Sequence, residues 1–248
     1  MTPTSNNVRS ILITGAAGLF GGILRRQWGA RYRLKLADIR PVADLAPHEE
    51  FVAVDIGECD ALAAVCEGVD TVIHLAAYPG DGAPFYPTIL QLNIIGAYNA
   101  FHAAQRAGCQ RIVFASSIDA VMGYDDQSDV AWDAPIYPTN DYGASKCWGE
   151  ALARVYAHQH GLSCICVRLC NPYFDSAGDW DASDLISGIS HRDAAQLFAR
   201  CIEVEDVDFA IVNGISKHCR GRLDLKNAQE LLGFAPQDGS AFPRSRLV

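Results

Sequence analysis

The stretch ILITGAAGLFGG, residues 11–22, decides the fold of this chain. An apolar run passes directly into a loop in which Gly15, Gly18 and Gly21 recur at every third position, and a helical pattern follows at 19–28. Glycines in such a loop permit positive φ angles and the close approach of a pyrophosphate, which the N-terminus of the next helix attracts. The stretch therefore predicts the first βα turn of a dinucleotide-binding sheet, and the alternative is a glycine-rich turn without a ligand.

Further apolar runs alternate with helical patterns along the chain. Six short strands, bounded by Gly, Asp, Ser or Asn, are predicted at 10–15, 33–38, 51–56, 71–77, 111–117 and 163–170. Helices are predicted at 19–28, 58–67, about 88–107 and 141–160. This alternation predicts right-handed βαβ units and an α/β fold, a Rossmann-like doubly wound parallel sheet.

The pattern loosens after the sixth strand. The sequence DSAGDWDASDLISG at 175–188 predicts a loop, and a helix, a strand and a second short helix are expected in HRDAAQLFARCIE, DFAIVNG and LDLKNAQELLG. We expect an NAD-binding domain at 1–170 and a small substrate-binding extension at 171–248. The extension is too short for a core of its own and should pack on the sheet.

Composition excludes several classes of function. The 248 residues are 50% hydrophobic and carry a formal net charge of −9, which argues against nucleic-acid or anionic-membrane partners. The nine cysteines lack a C-x-x-C spacing, so we expect buried free thiols in a reducing compartment and no metal site. The N-terminus does not resemble a signal peptide, and no apolar run approaches the ~20 residues of a membrane span. These features predict a cytoplasmic protein.

Acidic residues follow the second and third predicted strands. Asp38 lies 23 positions after Gly15, where a carboxylate accepts hydrogen bonds from the adenosine ribose and repels the 2′-phosphate of NADP. This position predicts NAD as the cofactor, although Arg40 offers a partner for that phosphate. Asp55 ends the third predicted strand and either flanks the adenine or simply begins a loop.

A tyrosine and a lysine stand four positions apart in TNDYGASKCWGE, residues 139–150. On a helix, Tyr142 and Lys146 share one face, and an ammonium beside a phenol lowers the phenol pKa. The pair is therefore a candidate general base working near neutral pH. The alternative is a half-buried tyrosine beside a solvated lysine.

The motifs TGAAGLFG, LADIR, VDI, VIHLAA, LNIIGAYN, FASS and YGASK, in this order, resemble the extended short-chain dehydrogenases/reductases. This is the NAD-dependent epimerase/dehydratase group. The resemblance is dense from residue 8 to about 172 and thinner to 236. Within the group, LADIRP, LNIIGAYN, RIVFASS and YGASKCWGE look most similar to the uronate dehydrogenases, which oxidise C1 of hexuronic acids with NAD.

The resemblance implies a role for individual residues. Tyr142 would be the catalytic base, Lys146 would hold the nicotinamide ribose, and Ser117 would hydrogen-bond the substrate oxygen. The implied NAD-binding residues are Gly15, Ala17, Gly18, Leu19, Phe20, Gly21, Asp38, Asp55, Ile56, Leu75, Ala76, Ala77, Asn93 and Lys146. The implied substrate-binding residues are Ser117, Ile118, Asp119, Tyr142 and Asn171. Relatives pair as homodimers through the helices that correspond to 88–107 and 141–160.

The sequence departs from the uronate dehydrogenases where a substrate carboxylate would bind. Residues 171–190 contain no Arg or Lys and carry four aspartates, and Asp119 stands where those relatives have a histidine. Because an unpaired buried charge is costly, this pattern favours a neutral sugar. The alternative is a uronate dehydrogenase whose cation comes from Arg168 or Arg192.

Two rival functions and one doubtful residue remain. A sugar epimerase or dehydratase would keep its NAD bound and return the hydride, and a non-catalytic dinucleotide sensor would need neither Tyr142 nor Lys146. A dehydrogenase acting at C1 or another carbinol fits the short, acidic C-terminal part best. His74, within the fourth predicted strand, is expected to be a core residue rather than a catalytic one.

Overall fold

The structure is a computed structural model that describes residues 8–125, 128, 130–173, 188–216 and 223–238. Within them, a sheet of seven parallel strands has the order β3-β2-β1-β4-β5-β6-β9. These strands are β1 Ser10–Thr14, β2 Arg33–Asp38, β3 Glu49–Ala53, β4 Thr71–His74, β5 Arg111–Ser117, β6 Ser163–Leu169 and β9 Phe209–Gly214. A separate parallel pair is formed by β7 Asn171–Tyr173 and β8 Gly188–Ser190.

Helices cover both faces of the sheet. They are α1 Leu19–Trp28, α2 Cys59–Cys66, α3 Gly96–Arg106, α4 Asp141–His160, α5 His191–Glu203 and α6 Lys226–Leu232. A wider π-helical segment, Phe85–Ile95, runs directly into α3. The Rossmann-like α/β fold predicted from the sequence is confirmed.

Alternating strand residues build two core layers. In β1, Ile11 and Ile13 face the layer that contains α1 and α5, whereas Leu12 faces the layer that contains α2, α3 and α4. Each of the three side chains is fully buried, as a central parallel strand requires because helices lie on both sides.

Several predicted boundaries are corrected by the structure. The third strand ends at Ala53 rather than residue 56, so Asp55 lies in the loop after it. The fourth strand ends at His74, and the helix predicted from 88 begins at Phe85 with π-type hydrogen bonds. In these two strands an apolar run continues past the last ladder bond, so that composition alone overestimates where the strand ends.

The segment after residue 170 extends the same sheet. Strand β9 pairs with β6, and α5 packs on α1, where the Trp28 indole nitrogen donates to the Ala195 carbonyl at 2.9 Å. The short helix α6 ends at Gly233, whose φ of 64° is left-handed. Most of the predicted loop 175–188, with its four aspartates, lies outside the described residues.

Seven described cysteines are free thiols, and six of these are buried: Cys66, Cys109, Cys147, Cys164, Cys166 and Cys201, with Cys59 partly exposed. Among the described residues, no group of His, Cys, Asp and Glu side chains has the arrangement of a metal site. Nor does any described helix have the length and apolar character to cross a membrane.

Candidate active site

A cavity of about 660 Å³ opens along the carboxyl ends of the parallel strands. Ligands of open α/β sheets bind at this edge, because the loops that follow neighbouring strands converge there. Seventeen of the residues singled out in the sequence line it: Gly15, Gly18, Leu19, Phe20, Gly21, Asp38, Arg40, Asp55, Ile56, Leu75, Ala76, Ala77, Ser117, Asp119, Tyr142, Lys146 and Asn171.

The glycine loop leaves its backbone open to a ligand. Gly15 has a φ of 71°, and a Cβ atom there would lie 2.7 Å from the Ala76 nitrogen, so no side chain fits. Helix α1 begins after Gly18 with no side-chain cap and no acidic residue in its first turn. By contrast, α4 and α5 are capped by Asn140 and Ser190.

The uncapped start of α1 fits an anionic ligand. The first N–H groups of a helix lack intrahelical partners, and a phosphate satisfies them while interacting favourably with the helix dipole. Because neither a capping hydroxyl nor a carboxylate competes at this end, the loop can hold the pyrophosphate of a dinucleotide.

The carboxylate of Asp38 is held in a fixed orientation at the end of β2. Its Oδ2 accepts a hydrogen bond from the Ala17 N–H at 3.0 Å, and its Oδ1 accepts one from the Arg40 N–H at 2.9 Å. The Arg40 guanidinium lies 3.7 Å from the same carboxylate but remains largely exposed. Asp38 is thus positioned to accept hydrogen bonds from ribose hydroxyls.

The N-terminal part of α4 directs Tyr142 and Lys146 into the cavity. The Asn140 side chain caps this helix by accepting from the Gly143 N–H at 2.7 Å. The Lys146 ammonium donates to the Ala115 carbonyl at 2.9 Å and lies 5.4 Å from the centre of the Tyr142 ring. Burial lowers the pKa of Lys146 to about 8.

The phenol of Tyr142 responds to opposing influences. Burial raises its pKa above the ordinary value, a hydrogen bond with Ser117 lowers it, and the negative charge of Asp119 raises it. A cationic ligand group beside the phenol would favour the phenolate, and so would the Lys146 ammonium. The structure thus brings a half-buried phenol, a lysine and a hydroxyl to one end of the cavity.

Ser117 and Asp119 form a short turn directly after β5. The Ser117 hydroxyl donates to Asp119 Oδ2 at 2.7 Å and accepts from the Asp119 N–H at 3.1 Å. The Asn140 amide lies 3.4 Å from the other carboxylate oxygen. These contacts hold the Asp119 carboxylate beside Tyr142, at the surface of the cavity.

A buried ion pair that the sequence reasoning missed fixes α4 against the sheet. The Glu150 carboxylate accepts hydrogen bonds from Nε and Nη2 of Arg168 at 2.8 and 2.9 Å. Its Oε1 also accepts one from the Ser116 hydroxyl at 2.7 Å. Tyr142, Lys146 and Glu150 therefore form a stripe at i, i+4 and i+8 along β5. The spacing of these three residues in YGASKCWGE was the sequence signal that Glu150 shares a helix face with Tyr142 and Lys146.

Three implied ligand-binding residues do not line the cavity. Ala17 contributes only its backbone N–H to Asp38, and Ile118 is buried in a cluster with Val121, Val130, Cys170, Ile215 and Leu223. The buried Asn93 amide bonds the Tyr78 backbone and donates to the Ser145 hydroxyl at 3.1 Å. It thereby braces α4 from behind.

His74 is a buried residue below the site. Its Nδ1 lies 2.8 Å from the Thr14 hydroxyl, and its ring stacks on Phe114. Burial, together with the charge of Lys146, lowers the pKa of His74 to about 3. The imidazole is therefore neutral at physiological pH and acts as a packed, hydrogen-bonded core group.

Some lining residues were not singled out in the sequence. They are small or apolar and come from strand ends and loops: Ala37, Ile39, Val54, Leu92, Ala115, Ser116, Leu169, Cys170 and Pro172. Pro79 and Gly80 belong to the loop between β4 and the π-helical segment, and both line the cavity. Several of them, such as Ala37, Val54 and Ala115, belong to the motifs LADIR, VDI and FASS, but the sequence assigned them no role, and only their position at the carboxyl edge places them in the cavity.

Comparisons with known proteins agree with this geometry. The sequence model described as the NAD dependent epimerase/dehydratase family matches residues 11–196. A uronate dehydrogenase from Pseudomonas putida is 34% identical over 97% of this chain and 87% of its own length. An NAD-dependent glucose-6-phosphate dehydrogenase from Haloferax volcanii is 33% identical over 93% and 94%.

A solved structure of a uronate dehydrogenase is also similar to this chain. It is a mutant of uronate dehydrogenase from Agrobacterium tumefaciens complexed with NAD, with a TM-score of 0.85 and 32% sequence identity. The match covers 93% of this chain and 85% of that one.

Proposed function

This chain belongs to the NAD dependent epimerase/dehydratase family, and we propose that it is an NAD-dependent dehydrogenase. Its proposed reaction is the oxidation of the carbinol carbon C1 of a small aldose or hexuronate. The observation that carries this function is the meeting of Tyr142, Lys146 and Ser117 in the cavity that begins at the glycine loop. The 30–34% identical sugar dehydrogenases support NAD-dependent sugar oxidation over the epimerase alternative.

The cofactor end of the cavity supplies binding groups for NAD. Gly15, Gly18 and the N-terminus of α1 would hold the pyrophosphate, and Asp38 would accept from the adenosine ribose. Ala76 and Ala77 leave room over the end of β4, and Asp55 with Ile56 borders the opposite side. Bound NAD supplies the acceptor for a hydride.

The sugar end supplies the proton chemistry. Tyr142, as phenolate, takes the hydroxyl proton while the same carbon loses its hydride, so that a carbonyl forms. Lys146 stabilises the phenolate by its positive charge, and Ser117 positions the reacting oxygen. Asp119 and Asn171 border the remaining space for the sugar, and the segment 171–248 would complete that wall.

The deciding experiment follows the release of NADH. Purified protein is mixed with NAD and a panel of aldoses, hexuronates and polyols, and absorbance of NADH is recorded over many turnovers. We expect NADH to accumulate well beyond the enzyme concentration with at least one aldose or hexuronate. An epimerase or dehydratase would convert the sugar without releasing NADH, and a dinucleotide sensor would bind NAD and convert nothing.

Homodimerisation through α3 and α4 is a second part of the proposal. Among the aromatic residues of these two helices, Phe101 and Tyr156 are buried in the core, whereas Tyr98 and Trp148 are 45% and 41% exposed. Val155 on α4 is exposed as well. A dimer mass of the wild type in sedimentation at micromolar concentration, together with a lower mass for Trp148→Glu, supports this pairing. A monomer mass for the wild type contradicts it.

A cytoplasmic location completes the proposal. It rests on seven described cysteines that are free thiols, as expected for a reducing compartment: Cys59, Cys66, Cys109, Cys147, Cys164, Cys166 and Cys201. Fractionation of cells that express a tagged chain is the direct test.

A further inference from the structure

We propose that Asp119 makes the sugar end of the cavity selective for uncharged sugars and unfavourable for hexuronates and sugar phosphates. This inference rests on the proposed sugar oxidation and adds the substrate charge. It follows from the position of the Asp119 carboxylate and from the ion pairs of Arg168 and Arg192, the two arginines considered as partners for a substrate carboxylate.

The Asp119 carboxylate is fixed at the place where a sugar would enter. The Ser117 hydroxyl donates to it at 2.7 Å, and the Asn140 amide approaches its other oxygen at 3.4 Å. It lines the cavity together with Tyr142 and Asn171. Because two polar side chains hold it from the same turn and from the start of α4, it does not depend on a sugar to become ordered.

The charges of the described cavity lining are unevenly placed. Arg40 lies beside Asp38 at the end for the adenosine ribose, far along the cavity from the chemistry. Lys146 is buried and donates to the Ala115 carbonyl, and its proposed partner is the nicotinamide ribose. In the part of the lining that the structure describes, Asp119 is the charged side chain at the sugar end, and the buried Lys146 ammonium lies within electrostatic range of it.

The two arginines considered as displaced carboxylate partners are engaged elsewhere. Arg168 is 2% exposed and forms a two-point ion pair with Glu150, while its Nη1 donates to the Trp132 carbonyl. Arg192 is exposed and paired with Asp238, and it does not line the described cavity.

A substrate carboxylate or phosphate in this space would lose hydration and face a like charge. A partly dehydrated anion needs a cation or several N–H donors, and a like-charge contact adds repulsion. A neutral sugar presents hydroxyl groups instead, and these can donate to the lone pairs of the Asp119 carboxylate that Ser117 and Asn140 leave unused. Selection therefore arises both from attraction of one substrate class and from repulsion of the other.

Matched substrate pairs test the inference. Values of kcat/KM are measured for glucuronate against glucose, galacturonate against galactose, and glucose 6-phosphate against glucose. We expect the neutral sugar to exceed its anionic counterpart at least about tenfold in the wild type, as expected for a like charge within a few ångströms. Asp119→Asn preserves the shape and an acceptor oxygen and should reduce that ratio by about tenfold.

Asp141→Asn is the control, because it removes an exposed carboxylate next to Tyr142 that does not line the cavity. Its neutral-to-anionic ratio should equal that of the wild type. A ratio, rather than a rate, is compared because loss of the Ser117–Asp119 bond can slow every substrate equally.

Each outcome decides between explanations. A wild-type enzyme that prefers a hexuronate, or an Asp119→Asn ratio equal to that of the wild type, overturns the inference while sugar oxidation itself stands. An equal shift in Asp141→Asn would show a general surface-charge effect and also overturns it. Absence of NADH formation with every sugar removes the proposed function, and the inference with it.

Discussion

The two ends of the cavity are built from different materials. The cofactor end consists mainly of backbone: a positive-φ glycine, the uncapped N–H groups of α1, and Asp38, which two N–H groups hold in place. The sugar end consists of side chains from the end of β5, the turn after it and the start of α4, namely Ser117, Asp119 and Tyr142. Lys146 lies between the two ends.

This difference predicts different sensitivities. A backbone site depends on the absence of Cβ atoms and on the course of the chain, so that many side chains near it can change. A side-chain site depends on single functional groups, and one atom decides whether chemistry occurs. Substitutions should therefore separate binding of the cofactor from turnover of the sugar.

Tyr142→Phe should give the sharpest separation. It removes the proton acceptor and leaves the glycine loop untouched, so we expect kcat to fall by ~10²–10⁴-fold while the Kd for NAD changes only a few-fold. Steady-state kinetics and NAD titration measure the two quantities. Tyr137→Phe, an exposed tyrosine that does not line the cavity, is the control and should keep full activity. A Tyr142→Phe enzyme with most of its activity would exclude this residue as the base.

Asp38→Ala should affect the opposite end. Loss of a charged acceptor for the ribose hydroxyls weakens the binding of NAD, and loss of the negative charge removes the repulsion of the 2′-phosphate of NADP. We expect the ratio of kcat/KM for NAD over NADP to fall about tenfold to a hundredfold. Glu50→Ala, which removes an exposed carboxylate from the neighbouring strand β3, should leave the ratio unchanged. The same ratio in both variants would place the ribose elsewhere.

The pH dependence of NAD binding should report the charge of Lys146, which lies between the two ends of the cavity. Burial lowers the pKa of Lys146 to about 8, so the ammonium form predominates below that pH and is lost above it. Because the pyrophosphate makes NAD an anion, the Kd for NAD should rise several-fold between about pH 7 and pH 9.5. Lys146→Met should bind NAD more weakly and without this rise. A wild-type Kd that stays constant over the range would contradict a contribution from the lysine charge.

The cofactor end could be predicted from the sequence because its requirements are local. A glycine at a fixed offset after an apolar run, and an acid at the end of the next strand, follow from the course of one βα turn. Tyr142 and Lys146 could be paired because four positions make one turn of a helix. The doubly wound parallel sheet followed from the alternation of strands and helices, whereas the strand order is known only from the structure.

The remainder depends on contacts between distant segments. Phe101 and Tyr156 lie on the helices that the resemblance assigns to a homodimer interface, yet Phe101 packs against both Phe114 and Tyr156 in the core. Ile118 follows Ser117 directly, but the turn after β5 buries it and directs Asp119 to the cavity. The ion pair of Glu150 with Arg168 joins α4 to β6, and no local pattern states which acid meets which base.

The stripe of Tyr142, Lys146 and Glu150 on α4 also limits how the length of the chain can vary. One inserted or deleted residue rotates the rest of a helix by about 100°, which would turn Lys146 and Glu150 away from β5 together. Substitutions between them change one contact, whereas a change of length removes two at once. Insertions and deletions in this protein should therefore be confined to positions outside 142–150, and libraries that vary loop length should keep this segment constant.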